Sequence, residues 1–197
     1  MELNSQLEQH RKTFLGVIDN PEFSIENKRV SAEAWFSEVL DILSYVKQNS
    51  RRVYFIGNGA SCSMASHFAT DFTKNGGIPS LSLNEGTMLT CFSNDFSYET
   101  AYMEMLRRHI QNSDALVAIS TSGKSPNILH AAEFVKNSLA KSAVITFSGF
   151  NRENPLFKTG TYNLYLNSND YGFVESGHAY YLHLLLDFFI QKGKKFQ

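Results

Sequence analysis

The chain has 197 residues, 43% of them hydrophobic and 13% aromatic, with 18 Lys+Arg against 19 Asp+Glu and a formal net charge of -1. At roughly 150 residues per domain, that is one domain with a core of its own. These values exclude a disordered or strongly acidic chain, and the basic excess of a general nucleic-acid binder is missing.

In chain order, residues 1–14 carry Glu2, Glu8, Arg11 and Lys12 with no apolar segment of the kind that targets a chain for export. Residues 1–50 read as a mainly helical arm with a break at 19–21. Ala34, Trp35, Val39, Leu40, Leu43 and Val46 recur there at helical spacing. The arm has no sheet of its own to cover, so it packs on the body of the molecule or on a neighbouring subunit. Short apolar runs at 52–56, 79–83, 115–119, 143–147 and 162–166 then predict strands. The strongest of them are almost continuously apolar, as strands covered on both faces are. Helices are predicted over 61–74 with Ser61 as N-cap, over 98–111, over 125–137 with Pro126 in the first turn, and over 174–192. Strands alternating with helices predict a parallel α/β sheet. The division is an arm at 1–50 and an α/β body at 51–197. The apolar stretch at 179–190 is too short to span a bilayer and contains His183 and Asp187. Cys62 and Cys91 make neither a disulfide framework nor a metal knuckle. A cytoplasmic protein is expected, with no membrane and no nucleic-acid partner.

Four motifs carry candidate chemistry. Gly57-Asn58-Gly59-Ala60-Ser61 follows a strand and opens a helix, where backbone N–H groups and the helix dipole favour an anion. It fails as a dinucleotide fingerprint because Cys62 stands at the third glycine position, and a tight strand–helix turn would read the same. Ser120-Thr121-Ser122-Gly123-Lys124-Ser125 follows the strongest strand. Its hydroxyls and amides suit a phosphate monoester. Ala118 occupies the position where a nucleotide-binding P-loop needs glycine. His67 and Asp71 lie one helical turn apart, as a metal-ligand pair, a base with its orienting partner, or an ordinary surface pair would. On the last helix, Glu175, His178 and His183 recur in a largely apolar stretch, where a histidine belongs to a site or to the core. His178 is assigned to packing.

Together these motifs resemble the SIS (sugar isomerase) domain family, and within it the phosphoheptose isomerases. The resemblance rests on GNGAS followed by HFATDFT, on Ser93-Asn94-Asp95-Phe96, on AISTSGKS, and on Glu175 and His183 eight residues apart. It covers nearly the whole chain, and it implies a flavodoxin-like domain with a five-stranded parallel sheet and an N-terminal helical arm. By resemblance, Asn58, Gly59 and Ala60 match the first substrate loop, and Asn94 and Asp95 the second. Ser120, Thr121, Ser122 and Ser125 match the loop that holds the sugar phosphate. His67, Asp71, Glu175 and His183 match zinc ligands; Asp71 and Glu175 also contact substrate, and Asp71, His183 and Glu175 are the catalytic residues. The implied assembly is a homotetramer with a zinc site shared between subunits, so that His183 serves a neighbour's His67. The implied reaction converts sedoheptulose 7-phosphate to D-glycero-D-manno-heptose 7-phosphate through an enediolate, for the heptose of surface polysaccharide.

Two positions depart from the family pattern. Asp71 stands where the family has glutamate, shorter by one methylene, and a misplaced catalytic group can lower a rate about a hundredfold. Glu175 stands where the family usually has glutamine, and its carboxylate would offset the reach lost at Asp71. Non-catalytic SIS modules, one of which associates with a replication initiator, are the alternative that the aspartate keeps open.

Overall fold

The computed structural model describes residues 2–139 and 141–194. Five parallel strands form the centre: β3 (Val53–Ile56), β4 (Ser80–Ser82), β5 (Ala115–Ser120), β6 (Ala143–Gly149) and β7 (Tyr162–Leu166). Their order across the sheet is β4-β3-β5-β6-β7, so the first of them in sequence sits inside and the chain winds away from it in both directions. That is the doubly wound flavodoxin order. Every residue of β3, β5, β6 and β7 is buried. Alternate side chains feed two cores: Val53 and Phe55 of β3 point into one, Tyr54 and Ile56 into the other.

The sheet has seven strands because the first fifty residues add two. β1 (Glu22–Ile25) and β2 (Lys28–Val30) form an antiparallel hairpin, and β1 continues the sheet beside β7. The mainly helical reading of the arm, and the five-stranded sheet, are corrected at this point by this hairpin. The turn residues Glu26 and Asn27 both have positive φ, 47° and 64°, which is the two-residue turn whose twist matches paired strands. Helices α1 (Leu3–Ile18) and α2 (Ala32–Gln48) flank the hairpin. Ser31 caps α2 by accepting from the Ala34 N–H at 3.2 Å. Trp35, Val39, Leu43 and Val46 bury the inner face of α2, as their spacing predicts.

On the α2 side of the sheet lie α3 (Ala60–Lys74) and α8 (Tyr171–Lys194). On the other side lie α5 (Ala101–His109) and α6 (Pro126–Ser138), with α4 (Gly86–Asp95) over them. A single turn and a half, α7 (Pro155–Thr159), precedes β7. Helix α5 is shorter than its predicted range and leaves Tyr98 in the loop before it. Helix α4 has no fully buried residue and packs on the core only through the partly buried Met88, Leu89 and Phe92, so its apolar stripe is short. His178 is fully buried, with its Nε2 3.1 Å from the Ser148 carbonyl. It is core, as assigned, and burial lowers its pKa to about 4. Among the described residues no helix is long and apolar enough to cross a membrane.

Candidate functional site

β3 and β5 are neighbours in the sheet, yet the helices that follow them pack on opposite faces. A cleft opens between the two departing loops, and open α/β sheets bind ligands at such a point. It encloses about 270 Å³ and is lined by Asn58, Gly59, Ala60 and Ser61 from the first loop and by Ser120, Thr121, Ser122 and Ser125 from the second. Tyr171 and Glu175 of α8 close the side.

Local sequence explains the shape of both loops. Gly57 has no room for a side chain, since a Cβ would lie 2.5 Å from the Ser61 backbone. Gly59 adopts φ +55° and caps α3. The predicted N-cap, Ser61, therefore lies inside the helix. A helix opened by a glycine keeps its first N–H groups free of side-chain partners, and they face whatever enters. In the second loop Gly123 has φ +64°, and a Cβ there would meet Asn154 Oδ1 at 2.0 Å. Buried Asn154 donates to Ser148 Oγ at 3.1 Å and accepts from the Phe157 N–H at 2.9 Å. Ser120 Oγ and Ser125 Oγ are 3.2 Å apart, and Pro126 opens α6 at N1. The result is a cup of hydroxyls and amides at the start of two helices. Among the described residues Glu175 is the only carboxylate lining it, and burial raises its pKa.

The second group of side chains lies farther along the same two helices. His67, Asp71 and His183 present ligand atoms that all lie within 4.8 Å of one another. His67 Nε2 is 3.4 Å from Asp71 Oδ2, and the His67 and His183 rings are 5.4 Å apart. The edge of His183 packs on Phe68 at 4.7 Å between centroids. Asn75 Nδ2 donates to Asp71 Oδ1 at 3.2 Å. Two imidazoles and one carboxylate, converging with an open side, are a donor set that suits zinc. All three come from one chain. Within the chain His183 already lies beside its own His67, because α3 and α8 pack side by side on one face of the sheet.

Glu175 is not in that group. It lies eight residues before His183, about 12 Å along the helix. Asn94 and Asp95 stand outside both groups: they are exposed at the end of α4, where Asn94 Nδ2 donates to Asp95 Oδ1 at 3.0 Å. Motif reading missed Tyr171, which lines the cleft, and Asn127 and Tyr98, which bond to Asn58. The tyrosines gave no local signal. Asn127 lies two residues beyond the serine loop and could have been read with it.

A family model described as SIS domain matches residues 28–148. A phosphoheptose isomerase of Helicobacter pylori strain HPAG1 is 32% identical over 146 residues, covering 71% of this chain and 74% of the relative. The phosphoheptose isomerase of Campylobacter concisus is 28% identical over 189 residues, covering 93% and 92%. Among solved structures, a phosphoheptose isomerase from Francisella tularensis superposes with a TM-score of 0.80 at 19% identity, covering 97% of this chain and 100% of that one. The phosphoheptose isomerase GmhA from Neisseria gonorrhoeae does so with 0.77 at 21% identity, covering 95% and 99%. The structural likeness at these identities speaks for the fold.

Proposed function

We propose, from the premise that the chain belongs to the SIS domain family and within it to the phosphoheptose isomerases, that it converts sedoheptulose 7-phosphate to D-glycero-D-manno-heptose 7-phosphate. The observation that carries this reading is the shared geometry of α3 and α8. Each helix runs from the serine-lined cleft to the histidine–aspartate group. Gly59 to His67 and Glu175 to His183 are both eight-residue steps, about 12 Å each. A phosphate held at one end and a carbonyl presented at the other is a span that an open seven-carbon chain can bridge.

Aldose–ketose conversion moves the proton on C1 of the ketose to C2, and the proton on O1 to O2, through an enediolate. The cup of Ser120, Thr121, Ser122 and Ser125 holds the phosphate, with Asn58, Gly59 and Ala60 on its other wall, and so fixes where the reacting carbons lie. Asp71 and Glu175 are the two carboxylates available as base. Asp71, beside His183, meets the end remote from the phosphate and takes and returns the carbon-bound proton. Glu175 meets the chain nearer the phosphate and accepts from sugar hydroxyls. His183 moves the oxygen-bound proton, since imidazole titrates near neutral pH. His67, Asp71 and His183 would hold zinc, with Glu175 as a ligand only if its side chain is drawn toward them. A bound zinc ion supplies polarisation of the substrate oxygen. Asn94 and Asp95 belong to the site by family pattern, and an approach of α4 to the cleft of another subunit would bring them in. A homotetramer fits the exposed Leu3, Leu7 and Leu15 on α1 and Tyr180 and Phe188 on α8. A cytoplasmic enzyme feeding surface-polysaccharide heptose completes the reading.

The test is incubation of the purified chain with sedoheptulose 7-phosphate, with and without zinc, following aldose formation. Zinc-dependent turnover that disappears in Asp71→Ala and His183→Ala is expected. Absence of turnover in zinc-loaded protein would refute the reading.

A further inference from the structure

Asn58 is a wall of the cleft, and three other residues dictate which way its amide faces. The Ile128 N–H donates to Asn127 Oδ1 at 3.0 Å, which identifies that atom as the oxygen. Asn127 Nδ2 therefore points at Asn58 Oδ1, at 2.9 Å, and Asn58 Nδ2 returns a bond to Asn127 Oδ1, also at 2.9 Å. Tyr98 Oη donates to the same Asn58 Oδ1 at 2.9 Å. A side-chain amide nitrogen carries two hydrogens. One on Asn58 is taken by Asn127, and the other is left for the cleft. Asn127 is 1% exposed and is not itself part of the cleft lining. It belongs to the first turn of α6, so the reciprocal amide pair ties the glycine turn after β3 to the serine loop after β5.

We propose that Asn127 is a positioning residue for the phosphosugar: through its reciprocal amide pair with Asn58 it holds an Asn58 N–H toward the bound ligand and sets the width of the cleft, with Tyr98 as the outer latch on the same oxygen. A reversed Asn58 amide would present its carbonyl oxygen to an anionic ligand instead of a donor. Asn127 fixes the orientation from the buried side, where the Ile128 N–H leaves it no alternative. Tyr98 lies three residues beyond Asp95, so it also links the segment that follows α4 to the cleft.

This inference rests on the phosphosugar reading above, and the experiment separates the two. Kd for sedoheptulose 7-phosphate is measured by titration calorimetry, and kcat and KM by turnover, for Asn58→Ala, Asn127→Ala, their double variant and Tyr98→Phe. If Asn127 acts through Asn58, each single alanine raises Kd and KM by about tenfold, while kcat changes by less than about threefold. The double variant then stays near about tenfold, not the roughly hundredfold of independent effects. Tyr98→Phe, a half-exposed site, raises KM by about threefold with an unchanged melting temperature. Effects that multiply, or an Asn127→Ala chain that melts earlier yet binds normally, would overturn the proposal. Should Asn127→Ala fail to fold, the cycle of Tyr98→Phe with Asn58→Ala answers the same question from the surface. Wild-type protein that binds the sugar phosphate without isomerising it sinks the isomerase reading alone, because the cycle is then read in Kd; protein that does not bind it overturns both.

Discussion

The cleft and the histidine–aspartate group share α3 and α8, yet they are held in place by different means. The cleft is shaped by backbone: two glycines with no room for a side chain, buried Asn127 and Asn154, and the ends of two fully buried strands. The ligand group is made of side chains on helix surfaces. His67 is 54% exposed and Asp71 22%, and a single hydrogen bond from Asn75 steadies the carboxylate. Part of the fold's own stability therefore resides in the cleft, while the ligand group depends on helix packing and on the ion it would hold. Damage to the first should unfold the loop; damage to the second should cost chemistry alone.

The sharpest way to test that contrast is to remove one ligand at a time. His183→Ala and His67→Ala are expected to lower zinc-dependent turnover by about 10²- to 10⁴-fold while the metal-free melting curve stays within about 0.5 kcal/mol of wild type. A chelator should have the same effect on the unaltered protein, reversed by added zinc. A large fall in the metal-free melting temperature would show that these histidines are structural and would erase the comparison. Gly123→Ala probes the opposite case. Its Cβ would lie 2.0 Å from Asn154 Oδ1 on a backbone at φ +64°, so activity should fall about a hundredfold together with a loss of about 1–3 kcal/mol in stability. Turnover and thermal melting measured on the same sample decide it, and an active variant with normal stability would show that the loop is not pinned.

Much of this was readable from sequence, for physical reasons that differ by element. β3, β5 and β6 announce themselves because strands buried on both faces are almost continuously apolar, whereas β7, with Asn163 inside it, reads as an alternating strand. The serine loop and glycine turn stood out as candidates because both fall at strand ends just before a helix, although a tight turn alone would read the same as the glycine motif. Hairpin 22–30 was not, since its strands are four and three residues long and its turn is Glu26-Asn27 without the glycine that marks such turns. Helix α4 hid because nothing in it is fully buried and its apolar stripe is short. The pairing of His183 with His67 inside one chain depends on how α3 and α8 lie on the sheet, a tertiary relation that spacing along one helix does not encode.

His178 offers a smaller test of the core between the two regions. Its pKa falls from 6.5 to about 4 through burial, so the folded chain refuses a proton that the unfolded chain accepts. The stabilising contribution is complete above about pH 6.5, declines as pH falls, and is gone below about 4, a change of about 3 kcal/mol. Urea unfolding of wild type and His178→Gln at pH 7 and pH 4.5 should show wild type losing more on acidification. Equal losses would place the acid sensitivity elsewhere.

The smallest effect is expected at Asp71. The family resemblance reads it as one methylene shorter than a glutamate ligand, which suggests a side chain that cannot reach. The structure argues otherwise. Donor atoms about 2.0–2.2 Å from a tetrahedral ion lie roughly 3.4 Å from each other, and His67 Nε2 and Asp71 Oδ2 are already 3.4 Å apart. The helix supplies the reach that the side chain lacks, because residues one turn apart project from the same stripe. With an ion at that spacing Glu175 would have no deficit to offset and would keep its place on the cleft wall. Asp71→Glu should change zinc affinity, read by competition with a chromophoric chelator, by less than about threefold in either direction. A hundredfold gain would show that aspartate stops short of the ion and would return Glu175 to the role of compensating ligand.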